Sequence, residues 1–193
     1  MPKRATDRRV ERTRRTLQKA LIALILEKRF DAITVQDVLD RADVGRSTFY
    51  AHFRSKEDLF RSDFENLLRF IRAGVAANGS RGDRILPIRE LFAHVREFRK
   101  LYRAMAASAM RVPLYRLSVA HIAAGVEEAL EARRVPRHRP PIPLPILSNH
   151  IAVALISMLD GWVAGGMPHE PERMDEIFHA LVMPGVHAAV GAA

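Results

Sequence analysis

The stretch Ile33–Leu59, ITVQDVLDRADVGRSTFYAHFRSKEDL, constrains the fold more than any other part of the chain, because start and stop signals for successive helices fall close together in it. Thr34 is an N-cap candidate, and Asp37 follows at close to the reciprocal capping-box spacing. Val35, Val38, Leu39 and Ala42 then recur at helical spacing, while Gln36, Asp37, Asp40 and Arg41 face away. Asp43 tolerates a left-handed backbone and can end this helix, and Gly45 can open the next. Residues 46–52 predict a second helix too short to stand alone, so Phe49 and Phe53 must dock in a core. Ser55 restarts a helix, with Glu57 and Asp58 in a first turn where the helix dipole favours anions.

Two short helices about a tight turn have the helix-turn-helix shape. The second helix turns Arg46, Ser47, Thr48, Tyr50 and His52 outward, a set of donors and acceptors suited to base edges and phosphates. Spacing alone fits an ordinary helical hairpin with a polar outer face equally well. The residues themselves go further. The pattern T-V-x-D-V-x-x-x-A-x-V-x-x-S-T-F-Y-x-H-F-x-S-K-E-D-L resembles the DNA-binding signature of the TetR family of bacterial transcriptional regulators. Thr34, Ala42, Val44, Thr48, Tyr50, His52, Phe53, Lys56 and Leu59 all fall in family positions, and the resemblance runs over about residues 10–65. Asp43 and Gly45 depart from it, standing where the family usually has Gly and often has Ser.

The resemblance implies an all-α fold, with an N-terminal three-helix helix-turn-helix head joined by a long helix to a helical ligand-binding and dimerisation body. The expected domains are 1–60, DNA-binding with a basic N-terminal arm, and 61–193, effector-binding and dimerising. Thr34, Tyr50, His52 and Lys56 resemble phosphate-contacting positions. Arg46, at the start of the recognition helix, is expected to read a guanine, with Gln36, Ser47 and Thr48 as secondary base contacts. The expected function is that of a homodimeric repressor, bound to a near-palindromic double-stranded DNA operator and released by a small apolar or amphipathic effector. The alternative is a helical interaction module, or a regulator without a small-molecule effector.

Charge placement agrees with a nucleic-acid partner. The net charge is +9, and residues 1–20 hold Lys3, Arg4, Arg8, Arg9, Arg12, Arg14, Arg15 and Lys19 against only Asp7 and Glu11. Such a block is either a solvated tail or an arm for phosphates, and its place beside the motif favours phosphates. The chain has no cysteine, which excludes disulfides, thiolate metal sites and cysteine nucleophiles and fits a cytoplasmic protein. No apolar run is expected to reach the roughly 18 residues of a membrane span, and no signal peptide is recognisable.

Beyond the motif, residues 1–9 are expected as a mobile arm and residues 10–28 as a helix, with further helices over about 55–77, 87–107 and 115–134. Asn78–Gly82 is a break, and Val135–Pro145 is an extended Pro-rich linker or, alternatively, a polyproline ligand for a partner domain. Arg96, Arg99, Lys100 and Arg103 fall on an outer, solvated face. A helix over the apolar residues 146–163 and another over about 174–186, interrupted or ended near Pro184, suggest a two-fold four-helix interface. Leu155, Met158, Leu159, Trp162, Ile177 and Leu181 are the interface candidates, and a monomer core is the competing reading. The resemblance also implies an effector pocket lined by Phe64, Leu68, Phe98, Tyr102, Met105, Met110, Tyr115, His121 and His150, an adaptable apolar wall with a few polar groups. No metal-ligand spacing, phosphate loop or nucleophile elbow occurs, so no catalytic residue, metal or cofactor is expected.

Overall fold

A computed structural model describes residues 3–78, 84–133 and 142–190. Among these residues the chain is all helical. Nine α-helices succeed one another: α1 (Lys3–Glu27), α2 (Val35–Ala42), α3 (Arg46–Tyr50), α4 (Lys56–Asn78), α5 (Ile88–Glu97), α6 (Arg99–Ala106), α7 (Arg111–Arg133), α8 (Leu144–Ala164) and α9 (Pro171–Val190), with a 3-10 turn at Phe30–Ala32. The chain divides into two compact units, residues 1–66 with 100–111, and residues 67–99 with 112–193.

In the first unit, α1 packs along α2. Leu17, Leu21, Phe30, Ile33, Val38, Leu39, Phe49, Phe53 and Leu59 are buried together as its core. Each large apolar side chain buried in this way contributes about 1.5–3 kcal/mol. Phe30 meets Phe60 edge-on at 5.9 Å, and Phe49 lies 6.0 Å from Phe53. The short α3 thus has the docking partners that its length demands. The basic segment is not a loose arm: α1 is helical from Lys3, so the stretch expected to be mobile continues the helix. Arg, Lys and Glu are all good helix formers, and apolar residues further on anchor the same helix, which carries it outward.

In the second unit, α5 packs on α9, and α8 also meets α9. Phe92, Trp162 and Phe178 are buried there, with Phe92 and Trp162 rings 4.9 Å apart. The expected helix over 87–107 is two helices, broken at Phe98 (φ −99°, ψ 26°). No Gly or Pro marks this break, so spacing alone runs through it. Arg96 is not a solvated cation. Its guanidinium pairs with Glu170, donates to the His169 carbonyl at 2.8 Å and lies over the Trp162 ring at 5.7 Å. The helix α9 continues through Pro184, which is exposed. By length and composition α8 could cross a membrane, against the expectation from the sequence. Its Ala, Gly and Ser count little against the mean, while Leu147, Ile151, Leu155, Leu159 and Trp162 are buried within the chain itself. The expected break at Asn78–Gly82 lies outside the described residues beyond Asn78, as does the Pro-rich stretch up to Pro141.

Candidate nucleic-acid interface

The start of α2 shows how the motif is locked. The Thr34 hydroxyl accepts from the Asp37 amide at 3.1 Å, and the Asp37 carboxylate accepts from the Thr34 amide at 2.7 Å, a complete capping box. The Thr34 hydroxyl also donates to Asp37 at 2.8 Å, and Lys28 Nζ lies 2.8 Å from the same carboxylate. The Lys28 ammonium first, then the backbone and hydroxyl of Thr34, hold the Asp37 carboxyl far below the usual carboxylate range. Asp43 ends α2 in the left-handed region (φ 52°), and its amide donates back to Leu39. Gly45 caps α3 in an extended conformation, and a Cβ there would meet open space.

The turn therefore sets α3 on the surface with one side chain, Phe49, buried. Arg46, Ser47, Thr48 and Tyr50 are exposed and His52 is half-buried. Gln36 reaches across from α2, and its Oε1 accepts from Arg46 Nη2 at 2.9 Å. Gln36, Asp40, Asp43 and Arg46 rim an open depression between the two helices. The structure thus brings Gln36 and Arg46 together at the α2–α3 turn, with Ser47 and Thr48 exposed after Arg46 on α3. Thr34 stands at the N-terminus of α2, exposed and engaged in its cap.

Lys56 is placed differently from the other expected phosphate contacts. Its ammonium donates to the carbonyls of Phe30, Asp31 and Ile33 at 2.8, 3.2 and 2.6 Å, and it lies over the Phe30 ring. Those contacts take up the donors of an ammonium, so Lys56 caps the 3-10 turn and fastens it to the start of α4. Residue type gives no hint of this, because the partners are backbone carbonyls distant in sequence. Further ties have no sequence signal either. Arg41 makes a two-pronged pair with Glu27 at 2.6 and 2.9 Å. Arg14 donates to Ser62 at 2.7 Å while lying over the Phe53 ring. The Asp31 carboxylate accepts from the Ala109 amide at 3.2 Å, which attaches the residues after α6 to the 3-10 turn.

The residues expected around an effector fall in both units: Phe64, Tyr102, Met105 and Met110 in the first, Leu68, Phe98, Tyr115, His121 and His150 in the second. Leu68, Met105 and Met110 are buried, and burial pushes the Tyr102 phenol above its ordinary range. Phe64 and His121 are half-buried, and the His121 Nδ1 pairs with the Leu117 carbonyl. Phe98, Tyr115 and His150 are exposed and line no core. The expected dimer residues also separate. Leu155, Leu159 and Trp162 are buried within the single chain and keep little exposed area. Met158 and Ile177 are half-buried, and Leu181 is 70% exposed. Among the described residues, no cluster of His, Asp and Glu could hold a metal ion.

Comparison with known proteins agrees with this arrangement. The chain matches the family described as "Bacterial regulatory proteins, tetR family" over residues 17–62, and that described as "Transcriptional regulator C-terminal region" over residues 87–184. The uncharacterized HTH-type transcriptional regulator YxbF of Bacillus subtilis (strain 168) is 42% identical over 57 residues, which are 29% of this chain and 15% of that protein's length. Among solved structures, the fold is similar to that of the dihydroxyacetone kinase operon activator DhaS, with a TM-score of 0.69 and 16% identity, covering 92% of this chain and 98% of that one. A TetR transcriptional regulator from Streptococcus agalactiae 2603V is similar with a TM-score of 0.59 and 22% identity, covering 93% and 98%.

Proposed function

The chain belongs to the TetR family of bacterial regulatory proteins and is an all-α transcriptional regulator, and from that premise we propose that it works in the cytoplasm as a homodimeric repressor, bound to a near-palindromic operator and released by a small apolar or amphipathic ligand. In this reading residues 1–60 bind DNA, and residues 61–193 bind the effector and dimerise. One observation supports DNA binding most directly: α3 is five residues long, buries only Phe49, and leaves Arg46, Ser47, Thr48 and Tyr50 outward. A helix held by one side chain contributes little to packing and much to presentation. Arg46 reads a guanine edge, the commonest partner of a guanidinium in the major groove. Ser47 and Thr48 assist it, while Thr34, Tyr50 and His52 contact phosphates.

One recognition helix covers few base pairs, so two copies on a two-fold site supply the affinity. Leu181 and Ile177 on α9, together with Met158 on α8, are the apolar side chains offered to the second copy. The test is a gel shift on duplex DNA flanking the protein's own gene, with sedimentation of the free protein and the complex. A dimer binding this DNA with sequence preference is expected. Arg46→Ala should cost about 1–3 kcal/mol and relax preference at one base position. A monomer in solution and on DNA overturns the assembly, and unchanged preference in Arg46→Ala overturns that contact. Ligand release is tested by a thermal-shift screen of apolar compounds followed by release from DNA. With no shift and no release, the regulator answers to its own concentration or to a protein partner. A fold neighbour carries the word activator in its name, so a reporter assay should read the sign of regulation.

A further inference from the structure

Three polar side chains form a chain across the surface from α2 to α3. Gln36 Nε2 donates to Asp40 Oδ1 at 2.7 Å, one helical turn on, and Gln36 Oε1 accepts from Arg46 Nη2 at 2.9 Å. We propose that Asp40 is a positioning residue for base recognition: acting through Gln36, it sets the direction in which Arg46 presents its guanidinium to a base edge of double-stranded DNA. The inference rests on the DNA-reading role proposed above and assigns a further residue to it.

The chemistry permits only one arrangement. A carboxylate only accepts and a guanidinium only donates, so the Gln36 amide between them must turn its NH2 to Asp40 and its oxygen to Arg46. A neutral amide at position 40 would remove that constraint, because it could meet either end of Gln36. All three side chains are exposed, and none belongs to the core of the unit. They rim the same open depression at the α2–α3 turn. In water such a chain is weakened by competition from solvent, but in an interface emptied of water it strengthens. An arginine already restricted by Gln36 loses less side-chain freedom on meeting a base, which favours the correct geometry.

The carboxylate has a second effect. A negative charge beside the reading helix disfavours a nearby phosphate, so it opposes non-specific attachment. Removing it should therefore move two quantities in opposite directions. Discrimination should fall while binding to unrelated duplex holds or rises. A residue that merely supports the fold would weaken both together.

The experiment uses the full-length protein and a randomised duplex library, with binding to one unrelated duplex measured alongside. Asp40→Asn should lose about fivefold in discrimination, the low end of one bidentate base contact. The loss should fall at the position that Arg46→Ala also relaxes, with unrelated duplex bound as tightly as by the wild type or tighter. Asp40→Glu should restore the preference. Gln36→Ala cuts the same chain without changing charge, and should relax that same position even if Asp40→Asn folds poorly. Wild-type preference in both Asp40→Asn and Gln36→Ala overturns the proposal, as does an equal loss on every sequence. A wild-type protein that enriches no sequence would refute DNA reading itself, a result distinct from either.

Discussion

Asp37 and Asp175 anchor two charged clusters built on opposite plans. Asp37 lies at the surface and takes Thr34 and Lys28 from its own neighbourhood in the chain. Asp175 is buried at 8% side-chain exposure, and accepts from Arg84 Nε at 2.6 Å across a separation of 91 residues. Its other oxygen lies 3.2 Å from the Nδ1 of the equally buried His179, whose Nε2 has no hydrogen-bond partner among the described residues. The first cluster decides where one helix begins. The second ties the segment before α5 to α9, and so joins parts of the body that the sequence keeps far apart. A surface cluster can exchange its partners for water when one is removed, whereas a buried one leaves its polar atoms stranded.

That difference sets the order of expected effects. Asp175→Ala should be the most damaging substitution, at about 2–3 kcal/mol, because it removes a buried carboxylate and with it the Arg84 bond that ties the segment before α5 to α9, while His179 keeps only its 2.9 Å pairing with the main-chain carbonyl of residue 175. Denaturant unfolding followed at Trp162, which is buried in the same unit, measures it. A loss below about 1 kcal/mol would show that the long-range cluster matters no more than a surface pair. Lys56→Met should come next, at about 2 kcal/mol, since the methionine keeps the stem but leaves the carbonyls of Phe30, Asp31 and Ile33 without their charged donor. Hydrogen exchange should show the 3-10 turn loosening while α8 and α9 keep their protection. Equal loosening in both units would erase the contrast.

Thr34→Ala should cost about 1 kcal/mol, an ordinary loss of an N-cap. Faster amide exchange confined to the first turn of α2 is the expected signature, and no change there would remove the cap from the account. The smallest effect should be a pH dependence. The Asp37 carboxyl is depressed by Lys28 and Thr34, and that of Glu27 by Arg41. Depressed carboxylates stabilise fully above their unfolded pKa, about 4, and lose that contribution as pH falls below it. The head should therefore melt earlier as pH drops from about 5 to 3. Asp37→Asn should flatten part of that slope, and a variant as steep as the wild type would reject the assignment.

Much of the head could be read directly from residues 33–59. The capping box at Thr34 and Asp37, the left-handed stop at Asp43, the opening at Gly45 and the docking of Phe49 and Phe53 all appear as their residue types require. The caps and the stop depend on chemistry within about one helical turn, which survives translation into a string of letters, and the docking follows because a helix as short as α3 needs side chains anchored in a core. In the body, the spacing signal ran through the break at Phe98, stopped short at Pro184, and did not separate the inward residues of α8 from the outward ones.

The sequence by itself therefore determined the helical class, the motif and the polar face of α3, because periodicity and caps are local. Only the tertiary structure decided that Lys56 closes a turn, that Arg96 lies over Trp162, that Leu155 and Trp162 are buried within the single chain, and that Asp40 reaches Arg46 through Gln36. A long side chain has several partners within reach of its charge, and which one it meets depends on helices that the packing of the whole unit brings alongside.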